Sequence, residues 1–284
     1  DSDLFDNRIQ PIMIRSRRLR VRDLFVELAL EPGEFINYSN LFHYTNSKAK
    51  EKILYGDYID FCLSRTEDFL DKNEGIQILE PFYLACGTLY ENDTIDEEFY
   101  LILRSINANT IRNYNSGAWI LCLTPNGNSQ YMKLRYAAKG CIIGIPELPL
   151  DDLCIKFPAD FGRINLCKVE YSFEKMYTKF KRDLEKIYDR YRKCLNDNVS
   201  GSKAETISVL KKLMIQYISM ICYSYKSSDY KNEEEIRLIC YIEKEFSCWN
   251  FEAANINVRM LADIDNNDPK LHLQLEKGKY LYCC

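Results

Sequence analysis

Residues 236–242 read Ile-Arg-Leu-Ile-Cys-Tyr-Ile, an almost uninterrupted apolar run that is entered through the acidic triplet Glu233-Glu234-Glu235. A short run of this kind, rich in β-branched and aromatic residues, favours a strand buried in a sheet. Residues 118–124 form a similar run, ended by Pro125-Asn126-Gly127, and residues 141–145 form another. We therefore expect these three segments to be strands of the core.

Further strands and several helices are expected on either side of these three segments. Further strands are expected at residues 41–44, 58–63, 164–171, and in a closing hairpin of 271–275 with 280–282, turned at Lys277-Gly278. Helices are expected at residues 47–54, 129–138, 173–195 and 207–225. Because strands and helices do not alternate regularly, the pattern favours an α+β fold over a doubly wound sheet.

We expect a single domain over residues 1–284. Its parts are a helical arm at residues 1–37, a mostly antiparallel sheet core at 38–172 and 227–284, and an inserted helical hairpin at 173–226. No internal repeat and no low-complexity linker interrupts this plan.

Composition and charge narrow the class of protein. The chain is 46% hydrophobic and 28% charged, which is typical of a folded globular protein. A net charge of -4 gives no overall attraction to nucleic acid or to an anionic membrane. The longest apolar stretch, around residues 213–225, is too short to span a bilayer, so no membrane partner is expected.

The 12 cysteines form no Cys-x-x-Cys pair and lack histidines at zinc spacing. Several lie within apolar runs, which is typical of reduced thiols in a core. We expect no disulfide, no bound metal and a cytoplasmic location. The charged first thirty residues contain no segment that resembles a signal peptide.

The chain has two histidines, His43 and His272, so any Ser-His or Cys-His catalytic pair depends on one of them. His272 alternates with Leu271 and Leu273, which predicts a structural role on the solvent face of a strand. His43 ends an apolar run directly before a helix start, where a ligand-binding role and a core or capping role are both open.

One dense basic patch occurs near the N-terminus. Its arginines can bind the phosphates of a nucleic acid or of NAD, or they can form a solvated face or a protein contact: Arg15, Arg17, Arg18, Arg20 and Arg22. The chain contains no Gly-x-Gly-x-x-Gly and no Gly-x-x-x-x-Gly-Lys, which argues against a Rossmann or P-loop nucleotide site.

Several short motifs follow one another in a recognisable order. They are Phe42-His43-Tyr44-Thr45, the loop at 69–75, Cys122-Leu123-Thr124, Tyr131-Met132 with Tyr136-Ala137, the segment at 139–144, and Glu233-Glu234-Glu235-Ile236-Arg237-Leu238. This succession resembles an uncharacterised bacterial family that begins with His-Tyr-Thr and ends with a Glu-x-Glu-x-Arg strand. That family is similar in layout to ADP-ribosyltransferases of the His-Tyr-Glu kind, whose sheet is split.

The resemblance implies three catalytic roles. His43 would bind the adenosine-side ribose of NAD, Tyr136 would stack on the nicotinamide with Tyr44 as the alternative, and Glu235 would grip the other ribose. Cleavage of the glycosidic bond builds positive charge on that ribose, which a carboxylate stabilises. Arg237 shares a strand face with Glu235 and can keep it ionised, although the two can equally form a structural ion pair.

Further residues are expected to line the NAD site around these three. They are Tyr44, Thr45, Ser64, Asp71, Glu74, Thr124, Tyr131, Met132 and Arg237. We expect His43, Tyr44, Asp71, Tyr136 and Glu235 to converge on one cleft, because a single ligand needs them around it.

The function implied by the resemblance is transfer of ADP-ribose from NAD to a macromolecule, nucleic acid or protein, in a bacterial toxin or phage-defence setting. The resemblance leaves open whether a partner protein restrains this activity. Two alternatives remain: a catalytically silent module that binds nucleic acid or protein, and a NAD glycohydrolase with water as the acceptor.

Overall fold

The structure, a computed structural model, describes residues 40–69, 71–115, 117–137, 140–146, 162–196, 203–242, 250–253, 256–262, 269–277 and 282–283. The expected N-terminal arm, with its five arginines, lies outside these ranges.

Eleven strands lie in the described residues. In chain order they are β1 (Asn40–Thr45), β2 (Tyr58–Cys62), β3 (Ser64–Arg65), β4 (Ala118–Leu123), β5 (Cys141–Pro146), β6 (Gly162–Lys168), β7 (Ile236–Ile242), β8 (Asn250–Ala253), β9 (Ile256–Ala262), β10 (Pro269–Glu276) and β11 (Tyr282–Cys283).

Seven α-helices accompany them in the same ranges. They are α1 (Ser47–Ile53), α2 (Leu79–Glu91), α3 (Glu97–Arg104), α4 (Ala108–Tyr114), α5 (Gln130–Tyr136), α6 (Phe173–Asn196) and α7 (Lys203–Ile221). Short 3-10 helices occupy Thr66–Asp68, Cys222–Ser224 and Ser228–Glu233. The expected α+β class is confirmed.

The chain divides into two compact units. The helical unit contains the described residues of 73–115 and 170–228, and the sheet unit contains those of 34–72, 116–169 and 229–284. The expected hairpin, α6 with α7, therefore belongs to a larger helical unit. Helices α2, α3 and α4 join it although the sequence pattern did not single them out.

The strands of the sheet unit form three antiparallel sheets, in the orders β1-β5-β11, β2-β10-β9-β8 and β3-β4-β7-β6. Phe42 and Thr124 exchange two backbone hydrogen bonds of 2.8 and 2.9 Å. This bridge joins β1 to the chain just after β4, so the first and third sheets meet there.

Strand β7 has buried side chains on both of its faces. Ile236, Leu238 and Cys240 lie in the apolar core of the sheet unit together with residues of all three sheets. Arg237 and Ile239 alternate with them and are also buried. This double burial explains why the strand reads as a nearly continuous apolar run instead of an alternating one.

The expected closing hairpin is wrong. Strand β10 pairs with β2 on one edge and with β9 on the other, and β11 pairs with β5 through Tyr282 opposite Gly144. Local turn signals do not reveal that both edges of β10 are already occupied. The partner strand β9 was not identified from the sequence.

A buried acid links the two long helices of the helical unit, α6 and α7. The Asp183 side chain of α6 is fully buried and accepts hydrogen bonds from Tyr217 Oη at 2.6 Å, Lys179 Nζ at 2.7 Å and Arg182 Nη2 at 3.0 Å. On the same helix, Phe180 contacts Phe82 of α2 with ring centroids 5.3 Å apart. A buried carboxylate is tolerated only when it is paired in this way.

Substitution of Gly140 tests the packing of β1 against the turn before β5. A Cβ atom at this position would lie 1.9 Å from the backbone oxygen of Thr45, and neither backbone can move away without cost. We expect Gly140→Ala to destabilise the protein by about 2 kcal/mol or more. Thermal unfolding followed by circular dichroism measures the change in Tm.

Gly87→Ala in α2 is the matched control, because a Cβ atom there meets nothing within 4 Å. Alanine in a helix interior is favoured over glycine by roughly 0.5–1 kcal/mol, so this variant should keep or raise the Tm. Equal Tm values for the two variants would contradict the close approach at Thr45.

Candidate functional site

The acidic triplet before β7 combines two buried carboxylates with an uncommon backbone conformation. The exposed fractions are 2% for Glu233 and 4% for Glu235. Between them, Glu234 has a φ of 46°, in the left-handed region that non-glycine residues rarely adopt. Such strain persists where the surroundings impose it, and it concentrates at functional sites. The triplet is therefore the centre of the candidate site.

Glu235 is held in place by its side chain and by its backbone. Its Oε2 accepts a hydrogen bond of 2.9 Å from Nη2 of Arg237, whose exposed fraction is 1%. Its carbonyl oxygen accepts a 2.9 Å bond from the backbone N–H of Val169. The carboxylate is thus fixed, buried and paired with a cation.

The strands beside β7 complete the surroundings of Arg237. Cys122 of β4 and Cys167 of β6 lie directly opposite Arg237, one on each side. Burial raises the pKa of Cys167 to about 12, an effect that Arg237 opposes and Glu235 reinforces. Cys167 therefore stays a neutral thiol at physiological pH and adds no charge to the site.

Tyr136 reaches the triplet from the end of α5. Its hydroxyl donates a 2.5 Å hydrogen bond to Oε1 of Glu233. Burial and this bond to Glu233 raise the pKa of Tyr136 well above its ordinary value, so the phenol remains a donor. The residue is still 39% exposed, which leaves part of its ring open to a ligand. The structure thus brings Tyr136 to the acidic triplet.

Arg135 places a guanidinium beside this carboxylate and among three aromatic rings. Its Nε lies 3.9 Å from Oε1 of Glu233. Its guanidinium carbon is 5.7 Å from the ring centroid of Tyr131, 5.6 Å from that of Tyr136 and 5.2 Å from that of Tyr230. Sequence reasoning missed Glu233, Arg135 and Tyr230. The four-residue spacing of Tyr131 and Arg135 on a short helix is the signal that could have found Arg135.

Tyr44 positions α5. Its hydroxyl donates to the carbonyl oxygen of Asn126 at 2.7 Å and accepts from the backbone N–H of Ser129 at 2.9 Å. Ser129 in turn caps the helix by accepting from the backbone N–H of Met132. Tyr44 is therefore buried and engaged on both sides, whereas the ring of Tyr136 is partly exposed.

The turn before α5 is also tied to the triplet. Asn126 donates a hydrogen bond of 3.1 Å from Nδ2 to Oε2 of Glu234. Its backbone N–H is 3.3 Å from Oγ1 of Thr124, a buried residue at the bridge between β1 and β4. The predicted residues Tyr44, Thr124 and Met132 thus belong to the frame that carries Tyr136.

His43 lies on the core side of β1. Its Nδ1 is 3.0 Å from the carbonyl oxygen of Cys122, and its ring meets that of Phe61 edge-on with centroids 5.3 Å apart. A carbonyl can only accept, so Nδ1 carries the proton and Nε2 is the acceptor. Burial lowers the pKa of His43, which keeps the ring neutral.

The positions of His43 and Glu235 relative to the core differ. His43 of β1 is bonded to the carbonyl of Cys122 on β4, and Cys122 stands opposite Arg237 on β7. One strand, β4, therefore lies between His43 and the strand that Glu235 precedes. The His43 ring contacts the core residue Phe61, whereas Arg237 lies on the face of β7 opposite its core residues. The structure thus groups Tyr136, Glu233, Glu235 and Arg237 closely, and it places His43 at the neighbouring strand.

The remaining expected residues are dispersed. Thr45 is buried at the end of β1, Ser64 is exposed on β3, and Asp71 is half-buried after the 3-10 helix Thr66–Asp68. Glu74 belongs to the helical unit, where its carboxylate lies 3.9 Å from Nζ of Lys226.

Comparisons of the chain with family models, with curated proteins and with solved structures find no match. Eight cysteines of the described part of the chain are free thiols. In the same part of the chain, no group of His, Cys, Asp and Glu side chains is arranged to hold a metal ion. Nor does any helix of that part have the length and apolarity needed to cross a membrane.

A second polar cluster lies on the sheet β2-β10-β9-β8. Nδ1 of His272 is 2.8 Å from Oδ1 of Asp60, whose Oδ2 accepts a 3.0 Å bond from Gln274. The alternating residues Leu271 and Leu273 are fully buried, so His272 lies on the face away from the core, as its alternation predicts. Burial alone would lower its pKa, but Asp60 and the nearby Cys62 raise it to about 9.

Tyr136→Phe tests the bond to Glu233. The variant keeps the ring but removes a donor from a buried carboxylate, which should cost about 1–3 kcal/mol. A lower Tm is therefore expected. Tyr55→Phe, at a residue that is 85% exposed, is the control and should leave the Tm unchanged. An unchanged Tm for Tyr136→Phe would show that water replaces the hydroxyl at Glu233 without loss.

His272→Gln tests the pair with Asp60 through pH. The folded-state pKa of about 9 exceeds the ordinary value of 6.5, so the pair contributes fully below pH 6.5 and its contribution is lost as the pH rises through 9. Between about pH 6 and pH 9.5 the native protein should lose more Tm than the variant does. Parallel pH dependences of the two Tm values would contradict this assignment.

Proposed function

We propose that this protein is a NAD-consuming, ADP-ribosyltransferase-like enzyme that transfers ADP-ribose to a macromolecular acceptor, nucleic acid or protein. The observation that carries the proposal is the buried Glu235 carboxylate, fixed by Arg237 at a strained strand entry where Tyr136 binds the neighbouring acid Glu233. The split sheet and the relation to the His-Tyr-Thr family are parts of the same proposal.

The chemistry requires a carboxylate that stays ionised in a poorly hydrated place. Departure of nicotinamide leaves a ribose with oxocarbenium character, and a fixed negative charge stabilises it most where water is scarce. Arg237 at 2.9 Å favours the ionised form of Glu235. Glu233 brings a second buried carboxylate to the same entry, where its partner is the phenol of Tyr136.

The neighbouring groups suit the other parts of NAD. The partly exposed ring of Tyr136 provides an aromatic face for nicotinamide, and Arg135, which is exposed, provides a cation for the pyrophosphate. His43 lies on the core side of β1, against Phe61 and the carbonyl of Cys122, so it supports the neighbouring strand and is not assigned to the ribose. We assign Tyr131 and Met132 to the walls of this site.

One observation favours the second candidate, a catalytically silent binding module. The 2.9 Å pair of Glu235 with Arg237 satisfies both charges within the fold, as a purely structural ion pair would. A NAD glycohydrolase would use the same residues with water as acceptor, and is therefore an outcome of the test. A toxin or phage-defence setting, a restraining partner and a cytoplasmic location complete the proposal. The free cysteines fit a reducing compartment.

Incubation with NAD labelled in its adenylate part, together with separate pools of protein, RNA and DNA, tests the proposal. Label that becomes covalently attached to one pool identifies the acceptor. Release of free ADP-ribose alone indicates the glycohydrolase, and intact NAD in every pool favours the silent module.

Glu235→Gln should reduce the rate of NAD cleavage by about a hundredfold or more, because loss of one such charge costs on the order of 3 kcal/mol of transition-state stabilisation. The amide keeps the shape and a hydrogen-bond acceptor for Arg237, so NAD binding should change little. Single-turnover cleavage and Tm are measured on the same preparation.

Glu51→Gln, on the exposed surface of α1, is the matched control and should keep full activity. A purely structural pair predicts the reverse pattern for Glu235→Gln: a lower Tm, with activity falling only with the folded fraction. Retained cleavage in a folded Glu235→Gln protein removes this residue from the mechanism.

A further inference from the structure

Three side chains with nucleophile, base and acid chemistry meet on the face of sheet β2-β10-β9-β8 that points away from the core. Cys62 and His272 are direct cross-strand partners on β2 and β10. Directly opposed residues on one face of an antiparallel pair have Cβ atoms roughly 5 Å apart, which brings their side chains together. Asp60 lies two residues before Cys62, on the same face of β2.

The imidazole of His272 joins the other two groups. Its Nδ1 is 2.8 Å from Oδ1 of Asp60, and Cys62, whose thiol lies 3.8 Å from the carbonyl oxygen of Leu63, stands directly opposite it across the two strands. Because Nδ1 is engaged with Asp60, Nε2 is the ring nitrogen that remains available to the thiol. Gln274 holds the second oxygen of Asp60 at 3.0 Å and so fixes the carboxylate.

This arrangement places a nucleophile, an imidazole and an orienting acid in the order that nucleophilic enzymes use. Cys62 is exposed, whereas the His272 and Asp60 side chains are 19% and 24% exposed. A reactant can therefore reach the sulfur while the pair behind it stays partly shielded from water. A thiol buried in apolar surroundings would be inert instead.

We propose that Cys62, His272 and Asp60 form a second, nucleophilic site that accepts acyl groups from activated esters and thioesters. The Cys62 sulfur attacks the acyl carbon and forms a thioester bond, the bond from that carbon to the leaving oxygen or sulfur breaks, and the leaving group takes the bonding electron pair. The thiol proton is released to solvent as the sulfur attacks, and the imidazolium of His272 gives its proton to the leaving group, so atoms and charge balance. This site is independent of the proposed NAD chemistry.

The charges that face His272 support this chemistry. Asp60 and Cys62 face it from β2, and Arg259 stands directly opposite it on β9. On its own strand, Lys270 is bound to Asp68 at 3.2 Å. A cationic imidazole beside Cys62 favours attack by the sulfur and attracts acyl donors that carry a negative charge. The pKa of about 9 keeps His272 protonated at neutral pH, so its ring can give a proton to a leaving group.

Thiol alkylation as a function of pH gives the first test. Native protein and His272→Gln are treated with iodoacetamide at several pH values, and the modification of Cys62 is quantified by peptide mass spectrometry. A thiolate held by an imidazolium should react roughly tenfold faster at about pH 6 than the same thiol without that partner. Cys194, half-buried on α6, is measured in the same digest as the internal control.

Two outcomes of this test decide whether His272 activates the Cys62 thiol. A flattened pH profile in the native protein, and a steep one in His272→Gln with Cys194 unchanged, supports the site. The same profile for Cys62 in both proteins overturns it. Circular dichroism confirms that the variant is folded, and Asp60→Asn should give an intermediate profile because it loosens the imidazole without removing it.

The acyl step is tested with p-nitrophenyl acetate on the full chain. We expect rapid release of one equivalent of nitrophenolate and an acetyl group on Cys62. Cys62→Ser, a nearly isosteric change at an exposed position, should lose this rapid phase and keep its Tm. Absence of the rapid phase from the native protein, or equally fast acetylation of Cys62 in His272→Gln, overturns the proposal.

Discussion

Strand β7 has hydrogen-bonded neighbours on both edges and buried side chains on both faces. A charged side chain on this strand must therefore be paired within the protein, and the segment that enters the strand supplies the partner. Arg237 lies in the middle of this environment, with Cys122 and Cys167 on either side of it. A guanidinium this deeply buried needs a carboxylate, and Glu235 supplies one from two residues earlier. The backbone then turns through the left-handed conformation of Glu234, which sends Glu233 toward Tyr136.

Such an arrangement is a poor way to stabilise a fold. The desolvation of a buried ion pair often cancels its Coulombic gain, and an apolar pair of similar volume can serve as well or better. The strained Glu234 adds a further cost. A chain that keeps two buried acids, a buried arginine and an uncommon backbone conformation within five residues gains little stability from them. Function is the better physical reason for their presence, and this is why the triplet carries the proposal.

Much of the fold could be predicted from local sequence. Strands β1, β2, β4, β5, β6 and β7 and helices α1, α5, α6 and α7 follow from apolar periodicity and turn residues, and their observed bounds differ from the expected ones by a few residues. Which strands pair with one another could not be predicted. The alternation around Leu271 indicates a strand, but it contains no information that β2 and β9 occupy its edges or that β11 pairs with β5. Pairing depends on distant segments, which a local pattern does not describe.

The candidate site shows the same limit. Glu235, Arg237 and Tyr136 were expected from motif order, and the strand period alone places Glu235 and Arg237 on one face. Glu233 was read as an ordinary acid before a strand, because nothing in the sequence shows that Tyr136 would reach it from a helix 97 positions earlier. Likewise, the alternation around His272 placed it on an outer face, and only the register of β2 against β10 reveals that Cys62 and Asp60 meet it there.

The two histidines illustrate how environment assigns chemistry to a side chain. His43 is bonded to a carbonyl and its pKa is lowered by burial, so it stays neutral and can only accept at Nε2. His272 is bonded to a carboxylate and its pKa is raised to about 9, so it is charged at neutral pH and can donate a proton. Exchanging their roles is physically unfavourable. Proton transfer to a leaving group needs the charged ring, while the buried place of His43 beside Phe61 and the Cys122 carbonyl suits the neutral one. The two proposed sites therefore make separate demands on pH: the acyl chemistry needs the His272 pair intact, and a change in pH near 9 should leave the already neutral His43 unaffected.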